Sequence, residues 1–316
     1  MRIIIGEEVD ALLDDRALIE ALRAMFVSGC SLPDRHHHTI PSKEGEAATL
    51  LLMPAWRSGG PIGVKLVTVF PGNGALGLPA VMGNYMLLDG ATGAPLALID
   101  GQALTARRTA AASALAATYL AAAGASRLLM VGTGALAPHL IAGHASVRAI
   151  ERVDIWGRTP KNAEALARSL DRKGLAVRAV TDLAQAAREA DIISCATLTK
   201  EPLIEGAWLR AGQHLDLVGG FTPEMREADD EAVRRATVFV DTIAGATKEA
   251  GDITQPLVSG VLKENEIAGD LFALTRGECK GRTGAEEITF FKSVGTALED
   301  LAAAQLVVEK LGVNGQ

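Results

Sequence analysis

The sequence predicts an α/β fold in which a doubly wound parallel sheet is joined to a discontinuous α+β domain. Residues 127–159 contain a strand pattern, a glycine-rich turn, a helix pattern and a second strand pattern. Apolar runs and helical patterns then alternate as far as residue 240, which is typical of parallel βαβ units. Before them, residues 49–99 form short strand patterns divided by Pro and Gly, which indicates a meander.

The predicted elements follow from apolar spacing, with period 2 in strands and period 3.6 in helices. Those of the N-terminal half are strands at 2–5, 49–53, 63–69, 81–88 and 95–99 and helices at 7–26 and 105–123. Those that follow the second strand of the glycine-turn unit are strands at 177–180, 191–196, 212–218, 237–240 and 288–295 and helices at 161–170, 183–190 and 296–311.

The last helix is expected to return to the first domain. We therefore expect a substrate-binding and dimerisation domain at 1–118 plus 296–316 and a dinucleotide-binding domain at 119–295.

Composition excludes several classes of function. The chain has 316 residues, 48% of them hydrophobic and 22% charged, which is enough for two domains with sizeable cores. A net charge of −7 and an aromatic content of 4% argue against a nucleic-acid surface or an anionic membrane as partner.

The three cysteines have no paired spacing. Cys30, Cys195 and Cys279 lie far apart, which favours a reducing cytoplasm and no disulfide framework. Cys195 lies in an apolar strand pattern and is expected to be a small buried residue. The first five residues are too short for a secretory signal, and no apolar run reaches the ~20 residues of a membrane span.

The glycine turn predicts dinucleotide binding. Gly132-Thr-Gly134-Ala-Leu-Ala137 follows an apolar strand and opens a helix, the context in which G-x-G-x-x-A carries this meaning. Gly132 permits the tight turn, Gly134 lets the backbone approach a pyrophosphate, and Ala137 lets helix and strand pack closely. The free N–H groups at the helix start would hold the phosphate.

The end of the second strand refines the cofactor. A nicotinamide cofactor without a 2′-phosphate is usually bound there by Asp or Glu, whereas this chain has Trp156-Gly157-Arg158-Thr159. A guanidinium attracts a 2′-phosphate, and Thr159 adds a hydroxyl donor. We therefore favour NADP(H), with NAD(H) as the alternative. The alternative for Arg158 itself is an ordinary solvated cation in a loop. The other residues predicted to contact the cofactor lie in the turn, at later strand ends or early in the 105–123 helix: Thr109, Thr133, Ala135, Leu136, Ala196, Thr197, Val218, Gly219, Ser293 and Val294.

Three cations are candidates for binding a carboxylate. Lys65 lies inside an apolar strand pattern, so it needs an anionic partner or a chemical task. Arg107 and Arg108 lie in the first predicted turn of a helix, where they oppose the macrodipole unless an anion binds there. Together with Arg35, Lys65 and Arg108 would grip a small carboxylate. The alternative is three unrelated surface or salt-bridge residues.

Three consecutive histidines, His36 to His38, suggest a metal, but no metal is predicted. Neighbours in an extended segment point to opposite faces, so only His36 and His38 could share one. No Cys or His set has the spacing that would complete the site.

Several segments together resemble the ornithine cyclodeaminase/mu-crystallin family over nearly the whole chain. They are Gly63-Val-Lys65, Leu104-Thr-Ala-Arg-Arg108-Thr-Ala-Ala111, the Gly132-Thr-Gly134 turn and Phe291-Lys-Ser293-Val-Gly295-Thr-Ala-Leu-Glu-Asp300. The resemblance implies that Arg35, Lys65 and Arg108 bind an amino-acid carboxylate and that Lys65 takes part in proton transfer. It also implies a homodimer assembled through the N-terminal domain.

One departure from the family pattern selects a branch. Where cyclodeaminases carry a catalytic Asp, this chain has Phe221, which cannot accept a proton. The pattern is more similar to the ketimine-reducing branch, which implies NAD(P)H-dependent reduction of Δ1-pyrroline-2-carboxylate to L-proline. The second candidate reaction is reduction of Δ1-piperideine-2-carboxylate to L-pipecolate. Lys65, Arg108 and Thr222 would be catalytic, with Met53 and Phe221 lining the substrate pocket. The alternatives are a cyclodeaminase or amino-acid dehydrogenase, and a crystallin-like protein that binds NADPH and a ligand.

Overall fold

The structure, a computed structural model, describes residues 1–42, 47–170 and 175–312. The chain divides into two compact units, Met1–Arg108 with Ala297–Gln316 and Thr109–Thr296. The first unit is discontinuous, with its last segment supplied by the C-terminal helix. The division falls at 108/109, inside a continuous helix, whereas the sequence suggested 118/119.

The first unit contains a six-stranded sheet in the order β1-β6-β5-β4-β3-β2. Strands β2 to β6 form an antiparallel meander, and β1 joins β6 in parallel. The strands are β1 (Arg2–Ile4), β2 (His36–Ile40), β3 (Ala48–Trp56), β4 (Ile62–Val69), β5 (Val81–Leu88) and β6 (Pro95–Asp100). The predicted meander is confirmed, with β2 as an added edge strand.

Helices α1 (Gly6–Leu12), α2 (Asp15–Ser28) and α11 (Ala297–Lys310) belong to this unit, and a short 3₁₀ helix spans Pro71–Leu76. Helix α11 packs against α2 and against β3, β4 and β5, so it covers one face of the sheet.

The single helix predicted at 7–26 is wrong. Leu13 is extended, with φ −92° and ψ 94°, and ends α1. The Asp14 carboxylate then caps α2 by accepting a hydrogen bond from the Ala17 N–H at 3.0 Å. An Asp at an N-cap satisfies one of the free N–H groups of a new helix, and Asp14 therefore starts a second helix here. The apolar spacing continues across this break, which is why it predicted one helix.

Helix α3 (Gly101–Leu120) begins four residues before the predicted start. The Asp100 carboxylate accepts hydrogen bonds from the N–H groups of Gln102 and Ala103, both at 2.9 Å. This cap moves the first turn back to residue 101. Arg107 and Arg108 therefore lie in the second turn, and the argument from an unfavourable helix dipole is wrong.

The second unit contains eight parallel strands in the order β13-β12-β14-β11-β10-β7-β8-β9. They are β7 (Arg127–Val131), β8 (Arg152–Trp156), β9 (Ala176–Ala179), β10 (Ile192–Cys195), β11 (His214–Leu217), β12 (Thr237–Val240), β13 (Gly269–Asp270) and β14 (Thr289–Lys292). The connecting helices are α4 (Ala137–Val147), α5 (Pro160–Ser169), α6 (Leu183–Glu189), α7 (Asp230–Arg235), α8 (Ile243–Glu249), α9 (Gly251–Ser259) and α10 (Leu271–Arg276), and 3₁₀ turns lie at Gly206–Trp208 and Glu264–Glu266.

The strand order reverses between β7 and β10. From β9 through β8 and β7 to β10, β11 and β14 the sheet follows the doubly wound pattern, in which ligands bind outside the carboxyl ends of the strands at the switch point. Consecutive residues Ile192 and Ile193 of β10 belong to apolar clusters on opposite faces. Since neighbouring side chains of a strand point to opposite faces, both faces are covered, and the predicted fold class is confirmed.

Cys195 is fully buried, as predicted, and burial raises the pKa of its thiol well above the usual value. Among the helices that the structure describes, none combines the length and apolarity needed to cross a bilayer.

Candidate functional site

Lys65 and Asp300 form a buried ion pair in the first unit. The Lys65 Nζ lies 3.1 and 3.2 Å from the two Asp300 carboxylate oxygens, and the two side chains are 6% and 0% exposed. The sequence predicted that Lys65 needs an anionic partner, and Asp300, at the start of α11, is that partner. An unpaired charge at such a position would be costly, so each group requires the other.

Arg108 completes the ionic cluster. Its Nε donates to Asp300 Oδ1 at 3.0 Å, and its Nη1 donates to Glu299 Oε2 at 2.6 Å. Arg108 and Lys65 therefore meet on one carboxylate oxygen. The neighbouring Arg107 pairs instead with Asp15 at 2.9 Å and donates to the Leu13 carbonyl, so the two adjacent arginines have different roles.

Burial and mutual charge set the protonation of this cluster. Burial, offset in part by Asp300 and reinforced by Arg108, lowers the pKa of Lys65 from 10.5 to about 8. Burial would raise the pKa of Asp300, but Lys65 and Arg108 hold it below its usual value. Burial would lower the pKa of Arg108, yet Asp300 and Glu299 raise it. At neutral pH the cluster is ionised, and Lys65 is its member nearest to losing a proton.

The glycine of the Gly63-Val-Lys65 motif has a packing reason. A Cβ at Gly63 would collide with the Tyr85 hydroxyl, so only glycine leaves room for this ring. Tyr85 is fully buried and pairs across the sheet with Lys65. Burial, with the charge of Asp300 next in effect, raises the pKa of Tyr85 well above its usual value and keeps it neutral. Gly63 thus lets an aromatic ring close one side of the Lys65 site.

Arg35 lies immediately before β2, with its side chain half-buried. His36 pairs with Leu52, so the same register continued by one residue sets Arg35 opposite Met53. Met53 is buried and pairs with Lys65 on β4. The third predicted cation therefore lies on the same row of the sheet as Lys65, two strands away.

Sequence reasoning missed Asp300 and Glu299 as members of this site. Both lie in the first turn of α11, where carboxylates also complement the helix dipole. Two signals could have indicated them: the anion required by Lys65, and the position of Asp300 at the end of the last family motif. Spacing alone cannot join residues 235 positions apart.

In the second unit, the glycine turn has the geometry that the motif requires. Gly132 has φ +118°, and a Cβ there would lie 2.5 Å from the Ala196 carbonyl oxygen. A Cβ at Gly134, in contrast, would meet no described atom within 4 Å. The fold itself therefore demands glycine at 132 but not at 134. Gly134 fits the close approach of a ligand's phosphate, and helix α4 begins three residues later at Ala137.

The turn residues present backbone to solvent at the start of α4. Gly134 and Ala135 are exposed, while Thr133 and Leu136 are half-buried. Ala137 is fully buried against the sheet, as its predicted packing role requires.

At the end of β8, Gly157 and Thr133 are in close contact. A Cβ at Gly157 would lie 2.7 Å from the Thr133 Cγ2, so glycine is needed there. Arg158 and Thr159 are exposed, and Trp156 is half-buried. Within the described part of the chain Arg158 forms no ion pair with a carboxylate, and the Thr159 hydroxyl does not cap α5. Both groups are thus available to a bound phosphate.

The segments after β10 and β11 are tied together by a buried carboxylate. Glu227 accepts hydrogen bonds from the Thr197 N–H and hydroxyl and from the Gly219 N–H, all at 2.7 Å. Neither Glu227 nor its neighbours Asp252 and Lys292 were singled out from the sequence.

The remaining predicted residues of this unit occupy different surroundings. Ser293 is buried and donates its N–H to the Leu217 carbonyl at 3.1 Å, and the Val294 N–H donates to Asp241 at 2.8 Å. Val218 and Thr109 are buried, and Ala196 packs against an apolar cluster.

Phe221 and Thr222 follow β11 in a loop. Phe221 is 44% exposed, and Thr222 is half-buried. The Thr222 carbonyl accepts the N–H groups of Met225 and Gly251 at 3.0 and 3.1 Å. The backbone at Thr222 is therefore fixed.

His36 and His38 share one face of β2, with ring centroids 6.3 Å apart. Within residues 1–42, 47–170 and 175–312, no three His, Cys, Asp or Glu side chains are grouped so as to hold a metal ion.

A parallel sheet that reverses its order beside a glycine turn and the start of a helix defines a Rossmann-type dinucleotide-binding protein. The chain belongs to the ornithine cyclodeaminase/mu-crystallin family, whose sequence model matches residues 4–314. The family predicted from the motifs is thereby confirmed.

Three relatives cover nearly all of the chain. The Δ1-pyrroline-2-carboxylate reductase of Colwellia psychrerythraea is 38% identical over 315 residues, which is 98% of this chain and 99% of the relative. The Δ1-pyrroline-2-carboxylate reductase of Thermococcus litoralis, in complex with NADH and L-proline, is 34% identical with a TM-score of 0.91, covering 98% of this chain and 97% of its own. An archaeal alanine dehydrogenase dimer with bound NAD is 29% identical with a TM-score of 0.90, covering 98% and 95%.

Proposed function

We propose that this protein reduces a cyclic imino acid with NADH or NADPH, converting Δ1-pyrroline-2-carboxylate to L-proline and also accepting Δ1-piperideine-2-carboxylate. The observation that carries the proposal is the buried Lys65–Asp300–Arg108 cluster, which offers both a carboxylate-binding cation and a proton donor. Two reductases of Δ1-pyrroline-2-carboxylate align over almost the full chain, which supports it. Phe221 replaces the acid that a cyclodeaminase would need.

Arg108 and Arg35 are proposed to bind the substrate carboxylate. The bonds of Arg108 to Asp300 and Glu299 use Nε and Nη1 and leave Nη2 for a ligand. Lys65 and Arg108 carry two positive charges, and Asp300 and Glu299 carry two negative ones, so this cluster is neutral. Arg35, on the same row of the sheet as Lys65, is proposed as a further cation for the substrate carboxylate.

Lys65 is proposed to protonate the imine nitrogen. With a pKa of about 8 it is charged at neutral pH and can still release its proton, which suits a general acid. Asp300 holds the ammonium group in place and is restored to the same ion pair when Lys65 regains a proton from water. The reduced nicotinamide, when bound, supplies the hydride that C2 receives. The product is the neutral ring amine, which takes a further proton in water.

In the first unit, Met53 is the proposed wall of the substrate site. In the second unit, Phe221 and Thr222 are kept as candidates from the family resemblance alone. Met53 is buried and pairs with Lys65 in the sheet. Holding the ring in one orientation lowers the entropic part of the barrier.

A nicotinamide cofactor fits the second unit, where Gly134 has no packing reason to be glycine. The proposed cofactor contacts are the turn, the end of β8 and the strand ends after β10, β11 and β14. The finer proposal is a preference for NADPH through Arg158 and Thr159. The Thermococcus relative binds NADH, so NADH is expected to serve as well.

Nicotinamide absorbance tests the function. NADH or NADPH should be oxidised on addition of Δ1-pyrroline-2-carboxylate, with L-proline as product. A flat trace with every cyclic imine, together with measurable binding of NADPH, would favour the binding-protein alternative. Ammonia release from ornithine with NAD⁺ would indicate a cyclodeaminase, and reduction of NAD⁺ by L-alanine would indicate an amino-acid dehydrogenase.

A homodimer through the first unit is also proposed. The sheet face opposite α11 carries a band of apolar side chains on neighbouring strands: Leu50, Leu52, Val64, Leu66, Met82, Met86 and Leu98. Leu66 is 41% and Met82 37% exposed, and a band of this kind marks an interface. In light scattering, Leu66→Arg should convert a dimer to a monomer, whereas Val258→Arg, at a 90% exposed position of the second unit, should not.

A further inference from the structure

A buried carboxylate joins two strand ends of the second unit. Glu227 Oε1 accepts the Thr197 N–H and hydroxyl, and Oε2 accepts the Gly219 N–H. Thr197 follows β10, which flanks the switch point, and Gly219 follows the neighbouring strand β11. A Cβ at Gly219 would collide with the Thr197 backbone, so the two segments are in direct contact. Glu227, in the loop between β11 and α7, thus accepts donors from both strand ends.

The network extends to the end of a third strand. Asp252 Oδ1 accepts the Glu227 N–H at 2.8 Å, and Asp252 Oδ2 lies 3.2 Å from the Lys292 Nζ. Lys292 ends β14 and directly precedes Ser293. The side chains of Glu227, Asp252 and Lys292 are all fully buried. The segments that follow β10, β11 and β14 all carry predicted cofactor residues. They are linked by one connected network of buried charged side chains.

Stability alone does not explain such a network. Burying three ionised groups costs more solvation than their attraction usually returns, and apolar side chains of the same volume often stabilise a core equally well. The carboxylate does, however, impose a fixed geometry, because short bonds of 2.7 Å to charged acceptors tolerate little displacement. The network lies at the carboxyl ends of the strands, where a doubly wound sheet binds its ligand.

We propose that Glu227 is a positioning residue for the nicotinamide cofactor: it fixes the backbone at Thr197 and Gly219 in the arrangement that the cofactor requires. Glu227 acts through these two segments and does not itself touch the substrate. The inference rests on the proposed function, since it presumes that a nicotinamide cofactor binds at these strand ends.

Protonation of Glu227 would weaken this arrangement. Burial raises the pKa of Glu227 to about 7, with Lys292 lowering it and Asp252 raising it in part. Asp252 of α9, Lys292 of β14 and the Cys195 thiol of β10 face this group. A protonated carboxyl group carries a hydroxyl donor toward N–H or O–H donors, so one of the three bonds is lost.

Glu227→Gln tests the inference with almost no change of volume. The amide NH₂ would face the donor that one carboxylate oxygen now accepts. We expect the Kd for NADH, measured by nicotinamide fluorescence, to rise at least about tenfold, with the KM for NADH rising in parallel. The matched control is Asp191→Asn. Asp191 also accepts two backbone N–H groups, from Ser126 and Arg127, but it precedes β10 and so lies at the amino ends of the strands.

The control separates positioning from general loss of stability. Asp191→Asn should lower the melting temperature without changing the Kd for NADH. If the two variants change the Kd equally, or if Glu227→Gln is folded and binds NADH like the wild type, the inference is wrong.

The wild-type protein gives a second test if Glu227→Gln does not fold. The Kd for NADH should increase as the pH falls from 8 to 6, because Glu227 becomes protonated over this range. A constant Kd over this range would contradict the inference. Failure of the proposed function has a different result: the wild type itself would bind no NADH or NADPH at any pH.

Discussion

Lys65 and Asp300 are 235 residues apart in sequence, and the Lys65 Nζ lies 3.1 and 3.2 Å from the two Asp300 carboxylate oxygens. The pair joins the middle of a sheet strand to the first turn of the C-terminal helix. It explains how a lysine can occupy an apolar strand, and why the C-terminal helix belongs to the first unit. Arg108 donates a hydrogen bond to the same carboxylate, so Asp300 binds both cations.

Asp300→Asn is expected to destabilise the protein strongly. The change leaves two buried cations with one fewer anion, and breaking a buried pair from one side typically costs about 3–5 kcal/mol. The free energy of unfolding from urea titration would measure this cost. Glu20→Gln is the matched control. The Glu20 side chain, which pairs with Arg23, is 67% exposed, so its loss should cost less than about 1 kcal/mol. Equal costs would show that the Asp300 pair is not a structural requirement.

Activity is expected to fall above pH 8. The pKa of Lys65 is lowered to about 8, so the proton donor is lost above this value and the cluster becomes negative. Stability should not fall with it: between pH 8 and 10.5 the unfolded chain keeps the proton that folded Lys65 has released, so this group raises the free energy of unfolding as the pH rises. Measuring kcat/KM and the free energy of unfolding between pH 6 and 10 would separate the two effects.

Lys65→Met should abolish most turnover in the same assay. Loss of a general acid typically reduces the rate about 100- to 10,000-fold. Lys263→Met, at an exposed lysine of the second unit, is the control and should retain the wild-type rate. Full turnover by Lys65→Met would remove Lys65 from the proposed mechanism.

The two glycines of the turn are expected to respond differently to alanine. Gly132→Ala should destabilise the protein, because φ +118° is strained for any side chain and the Cβ would press on the Ala196 carbonyl. The free energy of unfolding of Gly134→Ala should be within about 0.5 kcal/mol of the wild-type value, since the added Cβ meets no described atom.

For Gly134→Ala the effect should appear in cofactor binding. A methyl group where the backbone approaches a pyrophosphate should raise the Kd for NADH about tenfold. Calorimetric titration together with urea unfolding gives both quantities for each variant. Unchanged binding by Gly134→Ala would place the pyrophosphate elsewhere.

Arg158→Ala should weaken the binding of NADPH much more than the binding of NADH. The exposed guanidinium has no carboxylate partner among the described residues, and a charge-assisted bond to a 2′-phosphate should contribute about tenfold in Kd. Arg168→Ala, at a 72% exposed side chain of the same unit, is the control and should change neither Kd. An equal effect of Arg158→Ala on both cofactors would contradict a 2′-phosphate contact.

Features with a local cause could be predicted from the sequence alone. The Gly132 turn is one, because a tight turn between a strand and a helix restricts the residue type within a few positions. The strands of the meander and the alternating elements of the parallel sheet are others, since their periodicity records which face is buried. The helix starts set by N-caps were not predicted. Asp14 and Asp100 each cap a helix at a position that differs from the prediction, because a cap depends on backbone geometry that apolar spacing does not record.

The sequence by itself determined that a dinucleotide turn is present and that Lys65 requires an anion. Only the tertiary structure decided which anion it is, and it alone revealed the Glu227 network between strand ends. The physical reason is the same in both cases. A buried charge must be compensated by whichever group the fold brings within about 3 Å, and that group can lie anywhere along the chain.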